Sequence, residues 1–308
     1  MRVESESGEA NSSHDAEREL RTLKLSVALY LIVFVLKLGA YYVTGVMALL
    51  AEGLHTLSDI FVSGFLLIAL WWSRKKPDEV HRFGYGRAQY VGALVAAVLF
   101  ISFTSFELYK ESIPRLFTSE ASTHQNLPVA MGVLGLSMLL AAAPIVALLR
   151  QKTRGAAAKA QLMELVNDQL GLAAALVGTI FLALGFPIAD PIASIVVATI
   201  IGVNGVALFR ENLSYLIGRS PDDAFLAKTT EAARAVQGVR SVHGVRAQVI
   251  GPESVHVDLH VEVDPSLSVE EADRLAHQVA DAIHALTPNQ DVVNVHVDPL
   301  GSAVAGGC

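Results

Sequence analysis

Six stretches of the chain, about residues 23–43, 46–72, 88–111, 127–149, 158–184 and 187–209, are each long and apolar enough to cross a lipid bilayer as a helix, which takes about 20 mostly apolar residues. The hydrocarbon offers no water to backbone N–H and C=O groups, so such runs fold as helices packed among helices. Composition agrees: 52% of the 308 residues are hydrophobic and 17% charged, against about 25% charged in soluble domains. An ordinary cytosolic enzyme is disfavoured and no enzymatic activity is expected. The net charge of −7 offers no basic face for nucleic acid. The single cysteine, Cys308, is the last residue, so neither a disulfide framework nor a cysteine metal site is available.

Six spans put both ends of the chain on one side. Arg74, Lys75, Lys76, Arg82 and Arg87 in one loop, Arg150, Lys152, Arg154 and Lys159 in another, and Arg210 and Arg219 at the exit all lie on that side, against Lys110 and Arg115 opposite. The positive-inside rule makes it the cytoplasm. A multi-pass protein of a bacterial inner membrane is expected, with both termini cytoplasmic. Residues 1–21 are polar and predict a disordered tail; their acidic character disfavours a signal peptide. The expected domains are this tail, a six-helix membrane domain over 22–212, a soluble domain over 213–300 and a flexible end over 301–308.

The soluble domain reads as helix (about 222–236), strand (240–250), strand (254–264), helix (268–286) and strand (291–298). In Ser254-Val-His-Val-Asp-Leu-His-Val-Glu-Val-Asp264, Val255, Val257, Leu259, Val261 and Val263 alternate with His256, Asp258, His260 and Glu262. That period of two predicts a sheet with one face packed on helices, an α+β domain. The fold class is therefore an α-helical membrane protein of six transmembrane helices with a C-terminal α+β domain.

Ionisable side chains inside an apolar span cost at least about 2.5–3.5 kcal/mol each and mark function by default. The second span carries His55 and Asp59, and the fifth Glu164 and Asp168. Spacing of four stacks each pair on one helix face. Two such faces opposed supply one imidazole and three carboxylates, enough for a four-coordinate divalent ion. The competing readings are local helix hydrogen bonds or a wet crevice that binds nothing, and two identically spaced pairs weigh against them. Glu52, Asn167 and Asp190 read as supporting or helix-packing groups, while Lys37 in the first span pairs with an acid or reaches for an interface.

The segment Ala48-Leu-Leu-Ala-Glu-Gly-Leu-His-Thr-Leu-Ser-Asp59, the loop His81-Arg-Phe-Gly-Tyr-Gly-Arg87, the six spans and the α+β tail together resemble the cation diffusion facilitators, exporters of divalent metal from the cytoplasm. The likeness covers nearly all of the chain after about residue 22. It implies a homodimer whose protomers each exchange metal for protons, with the transport site on His55, Asp59, Glu164 and Asp168 and a tail of ferredoxin-like, metallochaperone-like fold. Many zinc-transporting members have His where Glu164 stands. Carboxylate-rich sites suit Mn²⁺ and Fe²⁺ and imidazole suits Zn²⁺, and one His with three carboxylates is compatible with all three; Zn²⁺ is the leading expectation as substrate and tail ligand, with Mn²⁺, Fe²⁺, Co²⁺ and Cd²⁺ as alternatives.

The same resemblance places a binuclear metal site in the tail, at a dimer interface, on His243, His260, His296 and Asp298. Asp273 stands where relatives have a His, and His277 lies one turn on; either would complete that site. In the loop, Asp78 and His81 match a further metal site of some members, but Tyr85 replaces its other His, so a weak or absent site is expected. Arg87 matches a basic residue that relatives pair with an acid, and the partner segment Leu216-Ile-Gly-Arg-Ser-Pro221 has no carboxylate, so that ion pair is not expected.

The functional expectation is a divalent metal efflux transporter working by proton antiport, with membrane lipid, protons and a second copy of the chain as partners. Linkage supplies the coupling: the groups that bind M²⁺ also bind H⁺, and His55 is the expected switch because imidazole titrates near neutrality. Two other readings compete. A membrane-anchored metal sensor or chaperone needs no acids inside its spans, and a proton-coupled transporter of a small organic substrate would want more aromatic contacts than 7% aromatic residues provide.

Overall fold

The structure, a computed structural model, describes the backbone of residues 2–44, 47–117, 127–151, 155–183, 188–251, 254–286 and 292–301, and side chains from residue 17 on except at 40–41, 43–55, 58, 111, 127–131, 133–134, 174–176, 178–180, 182–183 and 189–190. The chain divides into two units. One holds Asp15–Lys76 and Ala88–Leu213; the other holds Met1–His14, Pro77–Arg87 and Ser214–Cys308.

The first unit is helical. Its elements are α1 (Arg2–Thr44), α2 (Met47–Ser73), α3 (Ala88–Leu99), a π-helical stretch (Phe100–Ser105) running into α4 (Phe106–Arg115), α5 (Leu127–Leu149), α6 (Ala156–Ala183) and α7 (Ala189–Leu216). Helix covers most of the described residues in each of the six expected spans, the third across α3, the π stretch and α4. Among the described residues, Glu17–Gly39, Ala88–Arg115 and Pro191–Leu216 are long and apolar enough to cross a membrane. Ser105, at the end of the π stretch, donates its hydroxyl to the carbonyl of Ala198 on α7 at 2.8 Å. Such a widened turn frees backbone groups that must find partners elsewhere.

Helix α1 begins at Arg2, within the segment expected as a polar tail over 1–21. The physical reason lies in the last turns before the span. Glu17 pairs with Arg21 one turn on at 3.3 Å, and Glu19 is buried. Glu19 Oε1 accepts the N–H of Ala158 at 3.2 Å, so its negative charge sits at the positive N-terminal end of α6. Gln151 Nε2 donates to Thr22 Oγ1 at 3.2 Å. These contacts fasten residues 17–22, just ahead of the first apolar span.

The second unit contains α8 (Asp223–Ala235), β1 (Ser241–Gly251), β2 (Ser254–Val263), α9 (Val269–His284) and β3 (Val292–Pro299). The sheet order is β1-β2-β3, with β1 antiparallel and β3 parallel to β2. As the alternation predicts, Val257, Leu259, Val261 and Val263 are buried, together with Ala233 of α8 and Leu275, Val279 and Ile283 of α9. α9 starts at a capping box: Ser268 Oγ accepts the Glu271 N–H while Glu271 accepts the Ser268 N–H. The predicted and observed elements agree to within a few residues at each end.

The loop Pro77–Arg87 belongs to this unit. Arg87 Nη2 donates to Gln248 Oε1 on β1 at 3.3 Å, and the Phe83 ring meets His256 edge-on at 5.5 Å between centroids. Gly86 lies against Gly251, where a Cβ would come within 2.8 Å of Gly251 Cα, so the close approach needs glycine. Arg87 thus finds a neutral partner on β1.

Candidate metal sites

Neighbouring helices α2 and α6 of the first unit carry the two ionisable pairs. Asp59 and Glu164 are both buried, at 6% and 4% exposure, and their side chains lie in hydrogen-bonding reach of one another. Glu164 Oε2 is buried without a hydrogen-bond partner among the described residues. One turn away Gln161 Nε2 donates to Ser63 Oγ at 2.9 Å and ties the two helices together. Asp168 is half-buried and lines a crevice with Tyr30, Lys37, Thr56 and Ser137. His55 lies on α2, but its side chain is outside the described residues, as are those of Glu52 and Asp190.

One feature of this region was not legible as a site feature in the sequence. Tyr30 on α1 is buried with its hydroxyl unpartnered among the described residues, within the electrostatic reach of Asp168, Asp59 and Glu164; a lone tyrosine in an apolar span carries no periodic signal. Asn167, read from the sequence as a supporting group, is buried with both amide atoms unpartnered among the described residues.

The tail brings its residues together more completely. His243 pairs with His260 across β1 and β2, and His260 with His296 across β2 and β3, so three imidazoles form one row over the sheet's polar face. Ring centroids are 5.2 Å apart for His243 and His260 and 4.8 Å for His260 and His296. Asp298 serves all three: Oδ2 lies 2.9 Å from His260 Nδ1 and 3.6 Å from His243 Nε2, and Oδ1 lies 3.3 Å from His296 Nε2. Among the described residues, His243, His260 and Asp298 are the group whose ligand atoms all lie within 4.8 Å of one another. Imidazole and carboxylate donors on a half-exposed face fit a borderline divalent ion such as Zn²⁺. Gly244, at φ +62°, makes the bulge beside His243 and abuts the His260 ring.

Asp273 and His277 stand apart from this row. They pair with each other at 3.5 Å, both largely exposed. The physical reason is the sheet's two-sidedness: α9 packs on the valine face, and the histidine row lines the opposite face. His277 Nδ1–H donates to the Asp273 carbonyl at 2.9 Å; that bond, and then the Asp273 carboxylate, raise the imidazole pKa above its ordinary value.

In the loop, both oxygens of Asp78 are engaged. Oδ1 accepts the N–H groups of Val80 and His81 at 3.0 and 2.7 Å, and Oδ2 accepts the Tyr85 hydroxyl at 2.6 Å. The Tyr85 hydroxyl bond first, and the His81 N–H next, hold Asp78 below the usual carboxylate range, and the same hydroxyl bond pushes Tyr85 up. The His81 and Tyr85 rings stack obliquely at 4.2 Å.

The description "Cation efflux transmembrane domain" matches residues 23–217, and "Cation efflux protein, cytoplasmic domain" matches residues 221–300. A helical membrane domain of this kind joined to such a tail defines a metal cation transporter. The chain belongs to the cation diffusion facilitator family of metal efflux transporters. Similar proteins include an uncharacterized transporter of Methanocaldococcus jannaschii, 27% identical over 90% of this chain and 97% of the relative. The magnetosome protein MamB of Magnetospirillum gryphiswaldense is 28% identical over 85% of this chain and 87% of its own. The cation-efflux pump FieF of Serratia proteamaculans is 29% identical over 91% and 93%. Among solved structures, a nickel form of the MamM C-terminal domain is 28% identical, covering 25% of this chain and 98% of that one, with a TM-score of 0.24.

Proposed function

We propose that the protein exports a divalent metal from the cytoplasm as a homodimer, in exchange for protons, with His55, Asp59, Glu164 and Asp168 as its transport site. The observation that carries this reading is the burial of Asp59 beside Glu164 where α2 meets α6, inside the membrane domain of a cation efflux family. Two acids forced together out of water are strongly disfavoured as a charged pair. A doubly charged ion relieves that cost when bound, and protons relieve it when the ion has left, so metal and proton compete for the same oxygens. Zn²⁺ is the leading substrate, with Mn²⁺, Fe²⁺, Co²⁺ and Cd²⁺ next, since one imidazole and three carboxylates accommodate all of them. The membrane is a bacterial inner membrane, with both termini in the cytoplasm, on the strength of the Lys and Arg distribution.

In the tail, His243, His260, His296 and Asp298 hold metal in a regulatory site that tightens the dimer as cytoplasmic metal rises. The geometry of the Asp298 carboxylate among three imidazoles supports this part. Purified protein in proteoliposomes tests the whole: metal uptake against an imposed pH gradient is expected with proton counterflow, and Asp59→Ala or Asp168→Ala abolishes both. Metal flux at an unchanged rate without proton counterflow would remove the antiport mechanism, and unchanged flux in both variants would remove the site.

A further inference from the structure

Lys37 sits on α1 with 2% of its surface exposed, and among the described residues no other Lys or Arg side chain is buried. Its Nζ donates to Thr56 Oγ1 on α2 at 2.9 Å. Thr56 precedes Asp59 by three residues, on the same side of α2, and Lys37 lines one crevice with Asp168 and Tyr30. A cation held out of water is costly unless opposite charge stands near it, and the acids of this region are Asp59 and Glu164, both buried, and Asp168, which lines the same crevice as Lys37.

We propose that Lys37 is the fixed countercharge of the transport site and sets the valence of the ion it accepts. The inference rests on the reading of Asp59, Glu164 and Asp168 as substrate ligands. Three ionised carboxylates carry three negative charges, and Lys37 cancels one of them. The remaining two are cancelled by an ion of charge two, with His55 neutral as a ligand. A monovalent ion leaves a net negative site, and a trivalent ion a net positive one; in a low-dielectric core either imbalance is disfavoured. Placing the ammonium on Thr56 holds it near the carboxylates without filling the place of the ion, because a lysine presents a compact charge on a flexible stem.

Removing the charge leaves the metal-loaded site net negative, so the ion is held more tightly and released more slowly. In Zn²⁺ flux through proteoliposomes, Lys37→Gln and Lys37→Met are expected to lower KM by about tenfold or more and to lower kcat as well, while Lys37→Arg restores both toward wild type. A merely structural lysine would not produce that opposed pattern of tighter apparent binding with slower turnover. Unchanged or raised KM in both neutral variants, or an arginine variant that behaves like them, overturns the proposal. Should the neutral variants fail to fold, Lys37→Met combined with Glu164→Gln decides: recovered folding supports charge balance as the role of Lys37, and continued failure overturns it. Asp168→Asn in the same assay separates the layers. Its loss of flux alongside an unaltered KM in the Lys37 variants sinks the countercharge alone, whereas unchanged flux in Asp168→Asn sinks the transport site and the countercharge together.

Discussion

His260 Nδ1 lies 2.9 Å from Asp298 Oδ2, across the parallel pairing of β2 and β3. The same carboxylate reaches His243 and His296, which makes Asp298 the residue on which the tail cluster turns. Replacing Asp298 by Ala removes a ligand and the orienting partner of three rings at once. Zn²⁺ titrated into the purified full-length protein is expected to bind the tail at least tenfold more weakly, with one class of sites lost from the isotherm.

Gly244 tests the same cluster through the backbone. At φ +62° a side chain is strained, and a Cβ would stand 3.1 Å from His260 Cδ2. Gly244→Ala is expected to destabilise the tail by about 1–2 kcal/mol and to weaken its metal binding. Thermal unfolding with and without Zn²⁺ measures both effects.

Between α2 and α6, the Gln161–Ser63 hydrogen bond holds together the helices that carry Asp59 and Glu164. Ser63→Ala strands the buried Gln161 amide. A loss of about 0.6 kcal/mol, and at most about 1.7 kcal/mol, is expected from buried hydrogen bonds between membrane helices, read by denaturation in detergent micelles, with flux reduced at unchanged substrate preference.

His277 supplies a pH prediction. Its folded-state pKa is raised by the Asp273 carbonyl and carboxylate, so its stabilising contribution is fully present below the unfolded imidazole value and lost as pH rises through the raised folded one. The stability difference between wild type and His277→Ala is therefore expected to be larger at pH 5 than at pH 8. Histidine NMR titration of Asp273→Asn should show the His277 pKa moving down toward the ordinary value, though not fully, since the carbonyl bond survives.

Tyr85 occupies Asp78 Oδ2 with its hydroxyl and lies against the His81 ring. Tyr85→His releases that oxygen and adds an imidazole beside Asp78 and His81. One additional Zn²⁺ per protomer is expected by titration against wild type, and an unchanged stoichiometry would show that the loop backbone, rather than Tyr85, keeps metal out.

The helices, the sheet and the identity of most candidate ligands were legible in the sequence, because hydrophobic length and periodicity are local properties. Runs of about 20 apolar residues admit helices within lipid, and strict alternation over Ser254–Asp264 sets a valine face against a histidine face. Pairs spaced by four, His55 with Asp59 and Glu164 with Asp168, announce shared helix faces in the same way. Tertiary structure alone decided which groups meet. It made a helical anchor of Glu19 by placing it at the start of α6, separated Asp273 and His277 from the histidine row by the thickness of the sheet, and buried Lys37 against Thr56 near the acids. Such outcomes depend on helix rotation, strand register and the side of a sheet that a helix covers, and these follow from packing between segments far apart in the chain, which no local pattern encodes.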